Sequence, residues 1–503
     1  MTERRLVTVV TLLAAGISAV ATSFGIYATS ERFLVSSFNR LVLEVLPGWF
    51  VSAVIQRFGD LALELSLLFS GVLLSVIVGS LALAGYRLGA SALPASRELV
   101  GAVLSVVFVF LAAYLVVGVA RAAILPAVVG GAVVAGFDHL STAGDASADV
   151  SPDRRSVVQA VTVVAGYNVV AHGLGFLRRS QTQRTERELQ ERATRLEAEH
   201  LVSEADDAGL EADGIKPLIS EIGEFYKVDI NPSPPSIDPD GWRLSVTGLV
   251  EEELELDYDD VRGYETRNRY KAIRCLSDDI DGEQLDTAVW IGVRMADILE
   301  EAGIEDEGEY ALLSGADDYY YSVPLEDLEE SMLAFGMNGM ELPAGHGYPV
   351  RLLVPDRWGK LHVKWLTDVE IIDDGEGGYW EERGWHGMGP VNAVTKVDRI
   401  NRLEDGGIQL VGHAYAGARD VETVEVSIDG GDSWESATLS DPLPDSDTTR
   451  QWLYEIDPDE GDPDSYDVYA RTIDGEGTVQ PEARSDPFPD GATGWAHRSV
   501  RRG

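Results

Sequence analysis

His346-Gly347-Tyr348-Pro349-Val350-Arg351-Leu352-Leu353-Val354-Pro355 is the stretch from which the rest of the chain is read. It runs on into Arg357-Trp358-Gly359-Lys360-Leu361-His362-Val363-Lys364-Trp365-Leu366-Thr367. About seventy residues upstream stands Ile273-Arg274-Cys275-Leu276-Ser277-Asp278, which holds the one cysteine of the chain. The whole sequence carries 84 acidic residues against 40 Lys plus Arg, a formal net charge of -44. Yet between His346 and Lys364 sit Arg351, Arg357, Lys360, His362 and Lys364, opposed only by Asp356. Only six lysines occur in all, and two of them fall here. Cations kept together in so acidic a protein imply a bound anion; the alternative is pairing with carboxylates that the fold brings in. Gly347, Pro349 and Gly359 allow sharp turns and close backbone approach. Cys275 reads either as a small buried hydrophobe or as a soft thiolate ligand.

These motifs, at this spacing, resemble the sulfite oxidase family of molybdopterin-dependent oxidoreductases. The resemblance implies that His346, Arg351 and the His362-Val363-Lys364 triplet hold the phosphate of a pterin cofactor. It implies that Cys275 is the thiolate on molybdenum, one metal per chain. It also implies pterin contacts from Phe225, Tyr226, Lys227 and Asp229, and from Asp317. Two departures stand out. After Cys275 the chain reads Leu276-Ser277-Asp278-Asp279-Ile280-Asp281, where the family carries arginines; such a loop is expected to repel an oxyanion and to favour a neutral or cationic substrate. In Tyr379-Trp380-Glu381-Glu382-Arg383-Gly384-Trp385-His386, Trp385 stands where the family has a tyrosine, and an indole cannot exchange protons as a phenol can. Trp385, His386 and Arg383 are nonetheless the expected wall of the substrate mouth.

At 503 residues, two or three domains are expected. Residues 1–178 are poor in acids and rich in long apolar runs, and read as a transmembrane anchor of four to five helices. Leu6–Ala28, Leu61–Tyr86, Leu99–Ala120 and Val157–Leu177 each reach the roughly 20 residues a bilayer needs. Ala122–Phe137 contains Pro126 and three glycines and reads as a further span or a re-entrant piece. Phe33–Phe58, with Arg40, Glu44 and Arg57, reads as interfacial, Trp49 suiting the headgroup level. Arg4 and Arg5 favour a cytoplasmic N-terminus, which five spans would follow with an extracytoplasmic catalytic domain; Arg178 and Arg179 argue the other way. Arg154-Arg155 reads as an export-type pair or an ordinary positive-inside pair. His139 and His172 read as packing residues, and no Cys-x-x-Cys-His occurs, so no haem is expected.

Residues 179–214 read as a charged helical linker. Residues 215–390 read as an α+β molybdopterin-binding catalytic domain, with a helix expected over Met295–Ala302 and strands at Trp242–Val250, Tyr310–Ser314, Tyr319–Val323 and Val350–Val354. Residues 391–503 read as an immunoglobulin-like β-sandwich of the dimerisation type that accompanies the family, so a homodimer is expected. The dispersed acidity implies a halophilic, archaeal source, where molar salt shortens the Debye length to about 3 Å. No basic footprint for nucleic acid exists. The function expected is oxygen-atom transfer by a membrane-anchored, sulfite oxidase-like enzyme serving an external electron-transfer partner. A sulfoxide or N-oxide reductase on the same cofactor is the alternative, and a non-catalytic binding protein with a relic pocket is the rival from another class.

Overall fold

The computed structural model describes residues 3–28, 30, 32–58, 61–92, 96–143, 160–178, 198–231, 233–458 and 463–502. Arg154-Arg155 and about the first half of the charged linker, residues 179–197, lie outside these residues. The described residues fall into two compact units, one built from the N-terminal helices together with Asn231–Pro235 and one from the rest.

The first unit contains α1 (Glu3–Tyr27), α2 (Leu34–Val45), α3 (Gly48–Phe58), α4 (Leu61–Ala92), α5 (Arg97–Val117), α6 (Ala120–Ala143) and α7 (Ala160–Arg178). Five stretches among them are long and apolar enough to cross a membrane: Val7–Tyr27, Leu61–Ala92, Arg97–Val117, Ala120–His139 and Ala160–Arg178. The interrupted run around Pro126 is therefore one continuous helix. Glycines set how closely these helices pack. A Cβ on Gly79 would come 2.0 Å from the Leu12 carbonyl, and one on Gly89 would come 2.5 Å from that of Val100. Small residues at helix contacts are how backbones approach without side chains between them. On the outer faces Leu68, Phe69 and Leu115 stay uncovered, as a lipid solvent would leave them. The stretch Phe33–Phe58 forms α2 and α3, which meet at 117°. Trp49 is exposed there, its ring edge-on to Phe50.

The second unit begins with α8 (Glu199–Ala208), the described end of the linker. Ten strands follow: β1 (Leu244–Gly248), β2 (Leu254–Leu256), β3 (Arg267–Arg274), β4 (Leu285–Arg294), β5 (Tyr310–Gly315), β6 (Tyr320–Pro324), β7 (Met332–Met337), β8 (Met340–Glu341), β9 (Arg351–Leu353) and β10 (Leu366–Ile372). They make two sheets, β2-β1-β10-β5-β6 and β3-β4-β7-β8, with β9 paired to β7. The helices between them are α9 (Tyr258–Gly263), α10 (Met295–Ala302) and α11 (Leu325–Glu329). Helix α10 has the bounds the apolar spacing implies, and Gly303 at φ 65° ends it. Strand β4 is buried at nine of its ten positions, and its stretch from Ala288 to Val293 reads as an unbroken apolar run rather than an alternation.

The remaining strands are β11 (Val394–Arg402), β12 (Ile408–Tyr415), β13 (Val421–Ser427), β14 (Glu435–Ser436), β15 (Thr438–Leu439), β16 (Arg450–Ile456), β17 (Ser465–Asp474) and β18 (Ala496–Arg501). They form two four-stranded antiparallel sheets, β11-β12-β16-β15 and β14-β13-β17-β18. Thr395 on β11 and Thr472 on β17 join them through their hydroxyls at 2.5 Å. The strand-like runs at Ile408–Ala414, Val421–Ile428, Gln451–Ile456 and Tyr466–Thr472, separated by turn signals in the sequence, correspond to β12, β13, β16 and β17, each within two residues of those ends.

Candidate functional site

Strand β3 delivers Cys275 at its C-terminal end, and the Cys275 N–H donates to the Gln284 carbonyl at 2.9 Å, closing the loop between β3 and β4. The sulfur lies 3.1 Å from Ser277 Oγ, which donates to Gln284 Oε1 at 2.9 Å. Burial pushes the thiol up. Coordination of a metal would remove that proton outright.

Tyr226 lies close enough to both Cys275 and Arg351 for their charges to act on its phenol. Burial raises its phenol well above the ordinary value; charge on Cys275 and Asp286 adds to that, and Arg351 opposes it. A Cβ on Gly359 would come 2.8 Å from the Tyr226 hydroxyl and 3.2 Å from the Arg274 carbonyl. Phe225 packs edge-on against both Trp290 and His346, fixing the floor beneath them.

Arg351, at the start of β9, is 5% exposed and forms no ion pair among the described residues. It donates only to the carbonyls of His346 at 3.1 Å and His362 at 3.4 Å, its Nε has no partner, and its plane sits 5.1 Å over Trp290. Burial lowers its pKa to about 10. An uncompensated buried charge is costly, and an anion held beside Arg351 would offset that cost. Gly347, at φ 113°, lets Arg351 and Lys364 converge: a Cβ there would meet their Cβ atoms at 2.9 and 3.2 Å.

The other cations of the cluster are satisfied within the protein. Arg357 forks onto Asp327 at 2.8 and 2.7 Å. Lys360 pairs with Glu381, and Lys364 pairs with Asp229 while reaching the Val228 carbonyl at 3.3 Å. The two histidines carry no charge. His346 donates from Nε2 to the Ile222 carbonyl at 3.0 Å, and burial pushes it down to about 3. His362 accepts the Val354 N–H on Nδ1 at 3.0 Å and donates from Nε2 to the Arg357 carbonyl at 3.1 Å. Both its nitrogens are committed to backbone, so it shapes the pocket rather than neutralising an anion. Val363 is buried, and its carbonyl accepts the Leu352 N–H at 2.9 Å. Lys227 is exposed but lies by Gly345, where a Cβ would come 3.2 Å from its Cδ. Asp317 is buried, accepts the Tyr319 N–H at 3.2 Å, and is raised by burial to about 6.

Trp385 is buried against Phe488, its indole N–H without a partner among the described residues, and its carbonyl takes Lys360 Nζ at 3.3 Å. Arg383 lies 3.5 Å over the Tyr379 ring. His386 is exposed and is held through its backbone N–H on the Pro489 carbonyl at 3.0 Å. This loop reaches the cysteine side, since a Cβ on Gly387 would come 2.7 Å from Leu276. The buried network of Tyr321, Glu381 and Lys360 beside Trp385 escaped the sequence reading; the scarcity of lysine that drew attention to Lys364 applied equally to Lys360. A hollow of about 480 Å³ lined by Val202, Asp206 and Ile222 lies among other residues and contains none of the groups named above.

One expectation is corrected. The acids after Cys275 present no free negative face. Asp278 is 1% exposed and pairs with Arg274 at 2.9 Å and Lys396 at 2.8 Å. Asp279 pairs with Arg484 at 3.1 Å, and Asp281 with Arg484 at 2.9 Å and with Arg498. With each carboxylate matched by a cation, the repulsion of an oxyanion and the preference for a neutral or cationic substrate both lapse.

A family model described as an oxidoreductase molybdopterin binding domain matches residues 231–380, and one described as a Mo-co oxidoreductase dimerisation domain matches residues 390–487. Mitochondrial sulfite oxidase of Rattus norvegicus is 29% identical over 253 residues, covering 41% of this chain and 46% of its own length. The chain thus spans about half the length of the first curated relatives it matches. The oxidoreductase YuiH of Bacillus subtilis is 33% identical over 150 residues, covering 29% of this chain and 74% of its own. Among solved structures, the sulfane dehydrogenase SoxCD of Paracoccus pantotrophus is similar in fold, with a TM-score of 0.51 and 23% identity, covering 59% of this chain and 83% of that one.

Proposed function

The chain belongs to the sulfite oxidase family of molybdopterin oxidoreductases, and from that premise we propose that it is a membrane-anchored, molybdenum-dependent enzyme of oxygen-atom transfer. The observation that carries the reading is Arg351, a buried guanidinium with no ion-pair carboxylate among the described residues. The donor set fits the group: Arg351 and Lys364 would hold the pterin phosphate, Lys227, Asp229 and Asp317 would line its approach, and Cys275 would hold the metal. Bound there, the centre supplies two-electron oxygen-atom chemistry. His346 and His362, both neutral, keep Arg351 aimed by placing its two carbonyl acceptors. Trp385 and Arg383 close the side of the loop that packs on Leu276, and His386 stands at its exposed rim.

Because the acids after Cys275 are paired, an oxyanion such as sulfite is an admissible substrate. Sulfite would gain an oxygen from water and release two protons, with two electrons leaving to an external acceptor. Supporting the anchor are the five apolar helices. With Arg4 and Arg5 on the cytoplasmic side, five crossings would carry residues 215–390 out of the cytoplasm. The match of residues 390–487 to a dimerisation domain supports a homodimer. The test is to assay membrane-purified protein for sulfite oxidation with an artificial acceptor and for methionine sulfoxide reduction with an artificial donor. Turnover of sulfite that disappears in Cys275→Ser supports the reading. Turnover only of the sulfoxide transfers it to the reductase alternative, and activity that survives Cys275→Ser removes the metal ligand from it.

A further inference from the structure

Lys396 lies on β11, in the C-terminal pair of sheets, yet its side chain ends in the loop that carries Cys275. Its ammonium donates to Asp278 Oδ1 at 2.9 Å, to the Asp279 carbonyl at 2.8 Å and to the Gly282 carbonyl at 2.7 Å. An ammonium has three donors, and all three are spent on this one loop; its own strand receives none. Lys396 is 3% exposed and Asp278 is 1% exposed. The contacts hold both limbs of the turn. Asp278 N–H donates to the Cys275 carbonyl at 3.1 Å, so the near limb is held three residues from the sulfur. Gly282 holds the far limb, where a Cβ would come 2.5 Å from Asp278 Oδ1. Trp452 fixes the root of the lysine, donating from Nε1 to the Lys396 carbonyl at 3.1 Å. Arg274, the residue before Cys275, completes the cage from the other side through Asp278.

A contact that merely glued two domains together could fall anywhere on their boundary. The exposed pairs of Arg484 and Arg498 with Asp279 and Asp281 do so at the rim. The Lys396 contact is buried, fully saturated and confined to the turn that presents the sulfur.

We propose that Lys396 is a positioning residue for Cys275, by which the C-terminal sheets hold the cysteine loop in its metal-binding conformation. The proposal rests on the reading of Cys275 as the molybdenum ligand. Full-length protein made in a host unable to synthesise the pterin gives the cofactor-free state, and the rate at which iodoacetamide alkylates Cys275 reads the loop directly. Lys396→Met is expected to raise that rate by about five-fold or more, because the turn now opens locally. Arg498→Ala, which also cuts a pair to the loop but at its rim, is expected to change it less than about two-fold. In loaded protein, Lys396→Met is expected to lower molybdenum per chain and to alter the Mo(V) paramagnetic resonance spectrum. An alkylation rate and a spectrum both equal to wild type would overturn the proposal. If Lys396→Met does not fold, Asp278→Asn serves in its place, since it keeps the two carbonyl contacts; a rate unchanged there also overturns it. Wild-type protein that takes up no molybdenum would instead defeat the parent reading, while the alkylation comparison would still decide whether the loop is held from β11.

Discussion

Two buried groups of cations stand in this part of the fold, one around Asp278 and one around Arg351, and they are built in opposite ways. Arg274 and Lys396 each have a carboxylate partner: both reach that of Asp278. Arg351 has none: a guanidinium equally buried has only carbonyl oxygens as acceptors, and its Nε has no partner among the described residues. The first arrangement is self-sufficient and therefore architectural. The second lacks a counter-charge among the described residues, and in the reading proposed here the pterin phosphate would supply it. Density of positive charge along the sequence does not distinguish them; the presence of a partner in space does.

The contrast is broken or sharpened by substitution. The largest effect is expected for Arg351→Leu, which should reduce pterin loading by about a hundredfold, as loss of a buried charge partner costs roughly 2–5 kcal/mol in binding. The same change should leave the melting temperature of cofactor-free protein equal or higher, because it removes an unpaired buried charge. Mass-spectrometric metal analysis and calorimetry read the two halves. Equal losses of stability and loading would make Arg351 as architectural as Arg274. Next in size, Asp278→Leu leaves two buried cations facing each other and should destabilise the protein by about 3–5 kcal/mol in denaturant unfolding.

A pH effect comes third. His346 has a folded value of about 3, pushed down first by burial and further by Arg351, Lys227 and Lys364. Its unfolded value is about 6.5. The unfolded chain therefore takes the proton first, so this contribution is whole above about pH 6.5 and drains away between there and 3, by roughly a few kcal/mol. Asp317 opposes it: raised to about 6 by burial, it binds a proton more readily when folded and so favours the fold on acidification. His346→Gln should flatten the acid limb of a stability curve, and Asp317→Asn should steepen it. The smallest effect is expected at the rim, where Arg484→Ala should shift stability by no more than about 0.5 kcal/mol, and less still in molar salt.

What could be read in the chain beforehand follows the same division. The short motif with His346, Arg351 and Lys364 is local, and its residues meet where its spacing implies. Helix α10 was legible because its apolar spacing and its closing glycine are both local signals. The cysteine loop misled, because Asp278, Asp279 and Asp281 look like a bare acidic run until Lys396, Arg484 and Arg498 arrive from more than a hundred residues away. His362 misled differently: a histidine in a basic motif looks like a charge, and only its backbone partners reveal it as neutral. A signal existed for Lys396. In a chain with six lysines, each is an exception to the composition, and Lys216, Lys271, Lys360, Lys364 and Lys396 all pair with carboxylates that are themselves largely buried.

The most direct measurement is molybdenum and pterin content of full-length protein purified from a molybdenum-replete host, beside Arg351→Leu. The account expects close to one metal and one pterin per wild-type chain and almost none in the variant. A folded wild-type protein carrying neither, or a variant loaded as fully as wild type, would contradict it.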